Sequence, residues 1–139
     1  MRIQNQVRET KMSKGTQEPG KRDINNRTFS FACRTVKLYQ YLAKQKYASE
    51  VLGRQILRSG TSIGANLEEA RAGQSRADFV SKCNISLKEA RETHYWLRLL
   101  KETKIIPAEK IDNLLGEANE IVAILTTIVK KSRIGINAG

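Results

Sequence analysis

The sequence predicts an all-α protein, an antiparallel up-down-up-down four-helix bundle. Three observations predict it. Apolar residues recur at three- and four-residue steps along most of the chain, the mark of amphipathic helices. Only two prolines occur, Pro19 and Pro107, both outside the strongest periodic segments. The breaks between those segments are short, and short connections make successive helices antiparallel neighbours. At 139 residues and 40% apolar content, the chain is one domain with a core that needs no disulfide or metal. The bundle is expected over residues 28–134.

Residues 1–27 precede it as a basic, flexible tail. Arg2, Arg8, Lys11, Lys14, Lys21, Arg22 and Arg27 face only Glu9, Glu18 and Asp23, a net +4, and no apolar face is present. The first helix should open near Thr28, with Asn25 and Asn26 as caps. Its expected core side is Phe29, Ala32, Cys33, Val36, Tyr39, Gln40 and Ala43, and it fades at residues 44–47. Ser49 and Glu50 start the second helix, which runs to about Ala72, where Gly73 supplies a left-handed stop. Leu52, Ile56, Ser59, Ile63, Leu67 and Ala70 form its inward stripe. The third begins at the capping spacing Ser75-Arg76-Ala77-Asp78 and continues to about Lys104. Pro107 suits the first turn of the fourth helix. That helix carries the clearest stripe: Ile111, Leu114, Leu115, Ala118, Ile121, Val122, Leu125, Ile128 and Val129. Lys130, Lys131 and Arg133 sit at its negative end, and residues 135–139 should fray.

The stretch Ser59–Ala70 looks at first like a glycine-rich loop. Helical periodicity on both sides makes it the middle of a helix instead. Gly53, Gly60 and Gly64 line one flank and permit a close crossing, at a cost in helix propensity. Arg58, Ser62, Asn66 and Glu69 line the other, as a polar lock that fixes helix register. No strand precedes Gly60 and no Lys-Ser/Thr follows Gly64, which excludes a phosphate loop.

The charge of +11 and pI near 10 direct the chain toward polyanions, above all nucleic acid, or toward an acidic partner. Cys33 and Cys83 form no CxxC pair and read as free thiols in a reducing compartment. No secretory h-region or membrane-length apolar run occurs, so a cytoplasmic protein is expected. His94 is the only histidine and lies among apolar residues. Metal sites in helix bundles need Glu-x-x-His on two helices, whereas Arg91 stands three residues before His94. No metal, cofactor or enzymatic activity is expected.

The third helix carries three faces. Phe79, Cys83, Leu87, Ala90, His94 and Leu97 should face the core. Ile85, Trp96 and Leu99 form a second apolar strip, expected to be a subunit interface because tryptophan anchors such contacts. Between them, Lys88, Arg91, Tyr95 and Arg98 could grip phosphates and stack a base, or could form a solvated face supported by Lys88–Glu92 and Arg98–Glu102 pairs. Arg54 and Arg58 are second choices for phosphate contact.

The run Arg58–Ala70 resembles the signature of the bacterial four-helix bundle family named after proteins encoded in 23S rRNA intervening sequences. Gln55, Ile56, Arg58, Ser62, Ile63, Asn66 and Glu69 match it directly. Asp78-Phe79 and Ser86-Leu87-Lys88-Glu89-Ala90 resemble a second block, and the likeness covers about residues 28–132. Ala70 in place of the usual glycine, and Lys82-Cys83-Asn84, depart from the pattern. The resemblance implies a ring-like homopentamer. A related branch, the accessory variability determinant of diversity-generating retroelements, implies binding to nucleic acid and to a reverse transcriptase. The expectation is therefore a homo-oligomeric bundle that binds nucleic acid, structured RNA in particular. The alternative is an adaptor that docks an acidic or nucleoprotein partner such as a reverse transcriptase.

Overall fold

The computed structural model describes residues 23–138, and the expected basic tail lies largely outside them. Four helices follow one another: α1 (Ile24–Ala43), α2 (Tyr47–Arg71), α3 (Arg76–Glu102) and α4 (Ala108–Ala138). No strand occurs among the described residues. Cross-helix contacts set the directions. Gly53 meets Leu42, Gly60 meets Thr35 and Gly64 meets Thr28, so α1 and α2 are antiparallel. Ser59 with Thr93 and Ile63 with Ser86 do the same for α2 and α3. Lys101 with Asp112, and Arg76 against Gly135, do so for α3 and α4. The bundle is up-down-up-down, with Phe31, Leu38, Ile56, Ile63, Leu97, Ile121 and Leu125 at its centre.

Several boundaries differ from those the sequence suggests. Asp23 caps α1 by accepting from the Asn25 amide at 3.0 Å, so the helix opens a turn before Thr28. Arg27, expected in the tail, is part of α1 and holds Glu117 of α4 through two contacts of 3.0 and 2.7 Å. Helix α2 starts at Tyr47 rather than Ser49, after left-handed backbone at Lys46 (φ 64°) and Tyr47 (φ 53°). Gly73 is not left-handed; its amide closes the last turn onto the Ala70 carbonyl at 3.1 Å. Ser75 caps α3 as expected, accepting from the Asp78 amide at 3.1 Å. Helix α4 runs through Gly135 to Ala138, beyond the point where its sequence suggests fraying.

The largest correction concerns α1. Its buried side is Thr28, Phe31, Arg34, Thr35, Leu38 and Leu42, and Phe29 and Val36 point outward. The reason lies across the seam. A Cβ on Gly60 would stand 2.6 Å from Thr35 Cγ2, and one on Gly64 would stand 3.3 Å from Thr28 Oγ1. Small threonines fill those notches, and each hydroxyl is satisfied within α1, on the Asn25 and Ala32 carbonyls. A buried threonine paired with its own helix behaves as a short apolar knob. Phenylalanine at the same positions could not fit.

Of the four neighbouring helix pairs, α1 and α4 meet least, and polar groups close that side. Arg34 is nearly buried and donates to Asn113 Oδ1 at 2.8 Å, while Arg27 holds Glu117 and reaches Glu120 at 3.5 Å.

The glycine seam yields a differential test. Gly60→Ala gains helix propensity yet collides with Thr35, so it should destabilise the protein by about 1–3 kcal/mol. Gly116→Ala, where nothing lies within 4 Å, should instead gain roughly 0.5–1 kcal/mol. Denaturant midpoints measure both, and Thr35→Ala combined with Gly60→Ala should recover part of the loss.

Candidate nucleic-acid interface

Helix α3 places Lys88, Arg91, Tyr95 and Arg98 on its outer surface, all exposed and spaced by three, four and three residues. Those steps keep them on one face, and Arg91 and Arg98 stand about 10 Å apart along the axis. Among the described residues, Lys88, Arg91 and Arg98 make no ion pair, so the Lys88–Glu92 and Arg98–Glu102 pairs of a self-neutralised face are absent. Glu92 is instead drawn across to α2 by Arg58.

Tyr95 is 48% exposed, but its ring is occupied. The Arg98 guanidinium lies over it, 5.7 Å from the centroid, and Trp96 meets it edge-on at 5.1 Å. The expected base-stacking platform therefore carries an arginine of its own. His94 beside it is half-buried, and burial with the Arg98 charge lowers its pKa. Both effects favour the neutral imidazole over the charged one. Thr93, not His94, occupies the core position of that turn.

The other two expected phosphate contacts are committed elsewhere. Arg54 pairs with Glu50 one turn earlier at 3.1 Å. Arg58 bonds Gln55 Oε1 at 3.1 Å and contacts both Glu89, at 3.5 Å, and Glu92 on α3. Glu92 also accepts from the Trp96 indole N–H at 3.0 Å. Arg58, Glu89, Glu92 and Trp96 thus form one polar clasp across the α2–α3 seam.

That clasp revises the expected lock. Arg58 belongs to it, but Ser62 donates to the Arg58 carbonyl and Asn66 to the Ser62 carbonyl, both within α2. Glu69 is exposed. The buried cross-helix bonds come from other residues. Thr93 Oγ1 lies 2.7 Å from Ser59 Oγ, and Ser86 donates to the Ile63 carbonyl at 2.7 Å. Ser86 and Thr93 are seven residues apart, a spacing that a search for apolar stripes passes over.

The expected interface strip on α3 is mostly filled in. Trp96 and Leu99 are half-buried, with Trp96 packed against the core, and Ile85 is 37% exposed. A broader apolar stripe lies on α1, where Phe29 is 60% and Val36 37% exposed. Ala32, Cys33, Gln40 and Ala43 share its helical face, and Lys37 and Lys44 border it. Cys83 is fully buried, and burial raises its thiol pKa.

Among the described residues, no three His, Cys, Asp or Glu side chains gather as a metal site, and no helix is long and apolar enough to cross a membrane.

Residues 21–127 match the model of the family described as 23S rRNA-intervening sequence protein. A similar solved structure is the 1.70 Å crystal structure of a protein with unknown function from the S23 ribosomal protein family of Bacteroides thetaiotaomicron VPI-5482. It shares 44% identity with a TM-score of 0.72, and the match covers 78% of this chain and 99% of that one. No curated protein matches. On the family match, supported by that structural likeness, the chain belongs to the 23S rRNA-intervening sequence protein family.

Proposed function

We propose that this protein is a non-enzymatic, homo-oligomeric bundle that binds nucleic acid, structured RNA in particular, through the outer face of α3. One observation carries the reading. In a chain of net charge +11, Lys88, Arg91 and Arg98 share one exposed face without a carboxylate partner, whereas Arg54 and Arg58 are neutralised. Cations held away from acids are free to displace the counterions condensed on a phosphate backbone. One subunit offers few such cations. An oligomer repeats them, and each phosphate engaged raises the effective concentration of the next.

The α1 stripe is the surface that best supports self-association. Its exposed Phe29 and Val36 are apolar, with Lys37 and Lys44 only at the border, on a molecule whose net charge otherwise makes copies repel. A second copy of the chain would bury Phe29 and Val36, with Lys37 and Lys44 at the rim. The protein functions in the cytoplasm on this reading, with its cysteines reduced. An acidic protein partner on the α3 face is the competing outcome of the same experiment.

Binding of a structured RNA measured across salt concentration checks the α3 face. The affinity should fall with salt along a log–log slope of about −2 to −3 per engaged subunit. Lys88→Glu, Arg91→Glu and Arg98→Glu together should weaken binding by about tenfold or more at 0.1 M salt, the scale set by a few phosphate contacts. A flat slope, or unchanged affinity after the reversal, rejects this face.

Light scattering checks the assembly. The native protein should have a mass that is a multiple of 15.7 kDa. Phe29→Glu with Val36→Glu should reduce it to a single chain, while Ile85→Glu with Leu99→Glu should leave the oligomer intact. The reverse pattern returns the interface to α3.

A further inference from the structure

The cations of α3 are continued by two on α4 that, in the sequence alone, stand out only as charges at a helix end. The Lys101–Asp112 ion pair, at 2.8 Å, shows which flank of each helix borders the α3–α4 seam. On α4, stepping from Asp112 by seven residues gives Asn119, Thr126 and Arg133, and Lys130 lies between the last two at helical spacing. On α3 the corresponding flank holds Arg98, Arg91 and Asn84, with Tyr95 and Lys88 just outside them. Arg76 against Gly135 holds the register at the far end.

Laid out in that antiparallel register, the cations follow one another along the seam: Arg98, Arg91 and Lys88 from α3, then Lys130 and Arg133 from α4. The run extends about 27 Å at 1.5 Å per residue. All five side chains are exposed and, among the described residues, none makes an ion pair. Between Arg98 and Arg133 the flanking positions are Asn84, Tyr95, Gly116, Asn119, Ala123 and Thr126, and none is acidic. Glu89 and Glu92 are held by Arg58 on the opposite flank of α3, and Glu117 and Glu120 face Arg27 on α1. Between Arg98 and Arg133 the acids of both helices are thus turned away from this seam, and Asp112, beyond Arg98, is paired with Lys101.

The strip has cations without a free aromatic ring. Single strands are held by bases stacked on aromatic side chains, and the one ring here, Tyr95, carries Arg98 on its face and Trp96 at its edge. Point charges spaced along two rigid helices suit a backbone whose bases are already stacked on one another. We infer that the α3–α4 seam is a single phosphate-binding strip, including Lys130 and Arg133, that takes the backbone of a nucleic-acid duplex independently of base sequence. The inference rests on the nucleic-acid reading above and adds a second helix and a ligand class to it.

The test uses the full chain with three probes: a 20-base-pair RNA duplex, a DNA duplex of the same length and single-stranded oligouridine. At least one duplex should bind about tenfold or more tighter than the single strand, and the stronger one identifies the sugar. Lys130→Glu with Arg133→Glu should weaken duplex binding by about tenfold and flatten the salt slope by roughly 2, near 0.9 for each phosphate that is no longer neutralised. Lys130→Gln with Arg133→Gln, which removes charge without adding any, should show a smaller loss in the same direction. Thermal melting establishes that both variants fold. Equal or tighter binding of oligouridine overturns the duplex assignment. Full affinity in both α4 variants, with weakening only on reversing Lys88, Arg91 and Arg98, overturns the strip and leaves the α3 reading in place. Absence of binding to all three probes overturns both.

Discussion

The contact between Gly60 and Thr35 is the constraint on which the rest of the bundle depends. No β-carbon fits at Gly60, so α1 approaches α2 as closely as two backbones and a threonine allow. Gly53 and Gly64 extend the same notch against Leu42 and Thr28. This fixes which side of α1 is buried, and so which side is left outward. The helix gives up propensity at three glycines, and close packing along the whole seam offsets that cost.

The opposite flank of α2 works by pairing rather than by proximity. Ser59, Ser86 and Thr93 are fully buried, and each hydroxyl finds a partner across or along the α2–α3 seam. At the surface of that seam, Arg58 gathers Glu89 and Glu92. The clasp therefore has an electrostatic consequence on the far side of α3. By drawing the helix's central carboxylates toward α2, it leaves Lys88, Arg91 and Arg98 unopposed. Structure and proposed function meet at this point: one arginine bridges α2 and α3 and draws Glu89 and Glu92 away from the proposed binding face.

Much of this is legible in the sequence, and the exceptions share a cause. The α4 stripe, the Ser75 cap and the helical reading of Ser59–Ala70 all hold, because periodicity and capping are local signals. The core face of α1 is hidden because Thr28, Thr35 and Arg34 look polar by residue type, whereas Phe29 and Val36 look like core. Only the glycines opposite decide that a threonine belongs inside, and that information sits some thirty residues away. Ser62 and Asn66 mislead as lock residues for a related reason. Helical spacing places a side chain on a face but does not say whether its hydrogen bond turns back to its own helix. The candidate binding residues on α3 are visible as a pattern. Their freedom from ion pairs, and their continuation by Lys130 and Arg133, emerge only with the neighbouring helices in place.

Lysine footprinting in the presence of duplex RNA tests the central claim most directly, that the α3–α4 seam from Arg98 to Arg133 is the surface that meets nucleic acid. Amine acetylation read by mass spectrometry reports each lysine separately, with Lys44 and Lys46 at the α1–α2 turn as internal controls. The account predicts protection of Lys88 and Lys130 together, with Lys44 and Lys46 as reactive as in the free protein. Protection confined to Lys44, Lys46 or the lysines of residues 1–22, with Lys88 and Lys130 unchanged, contradicts it.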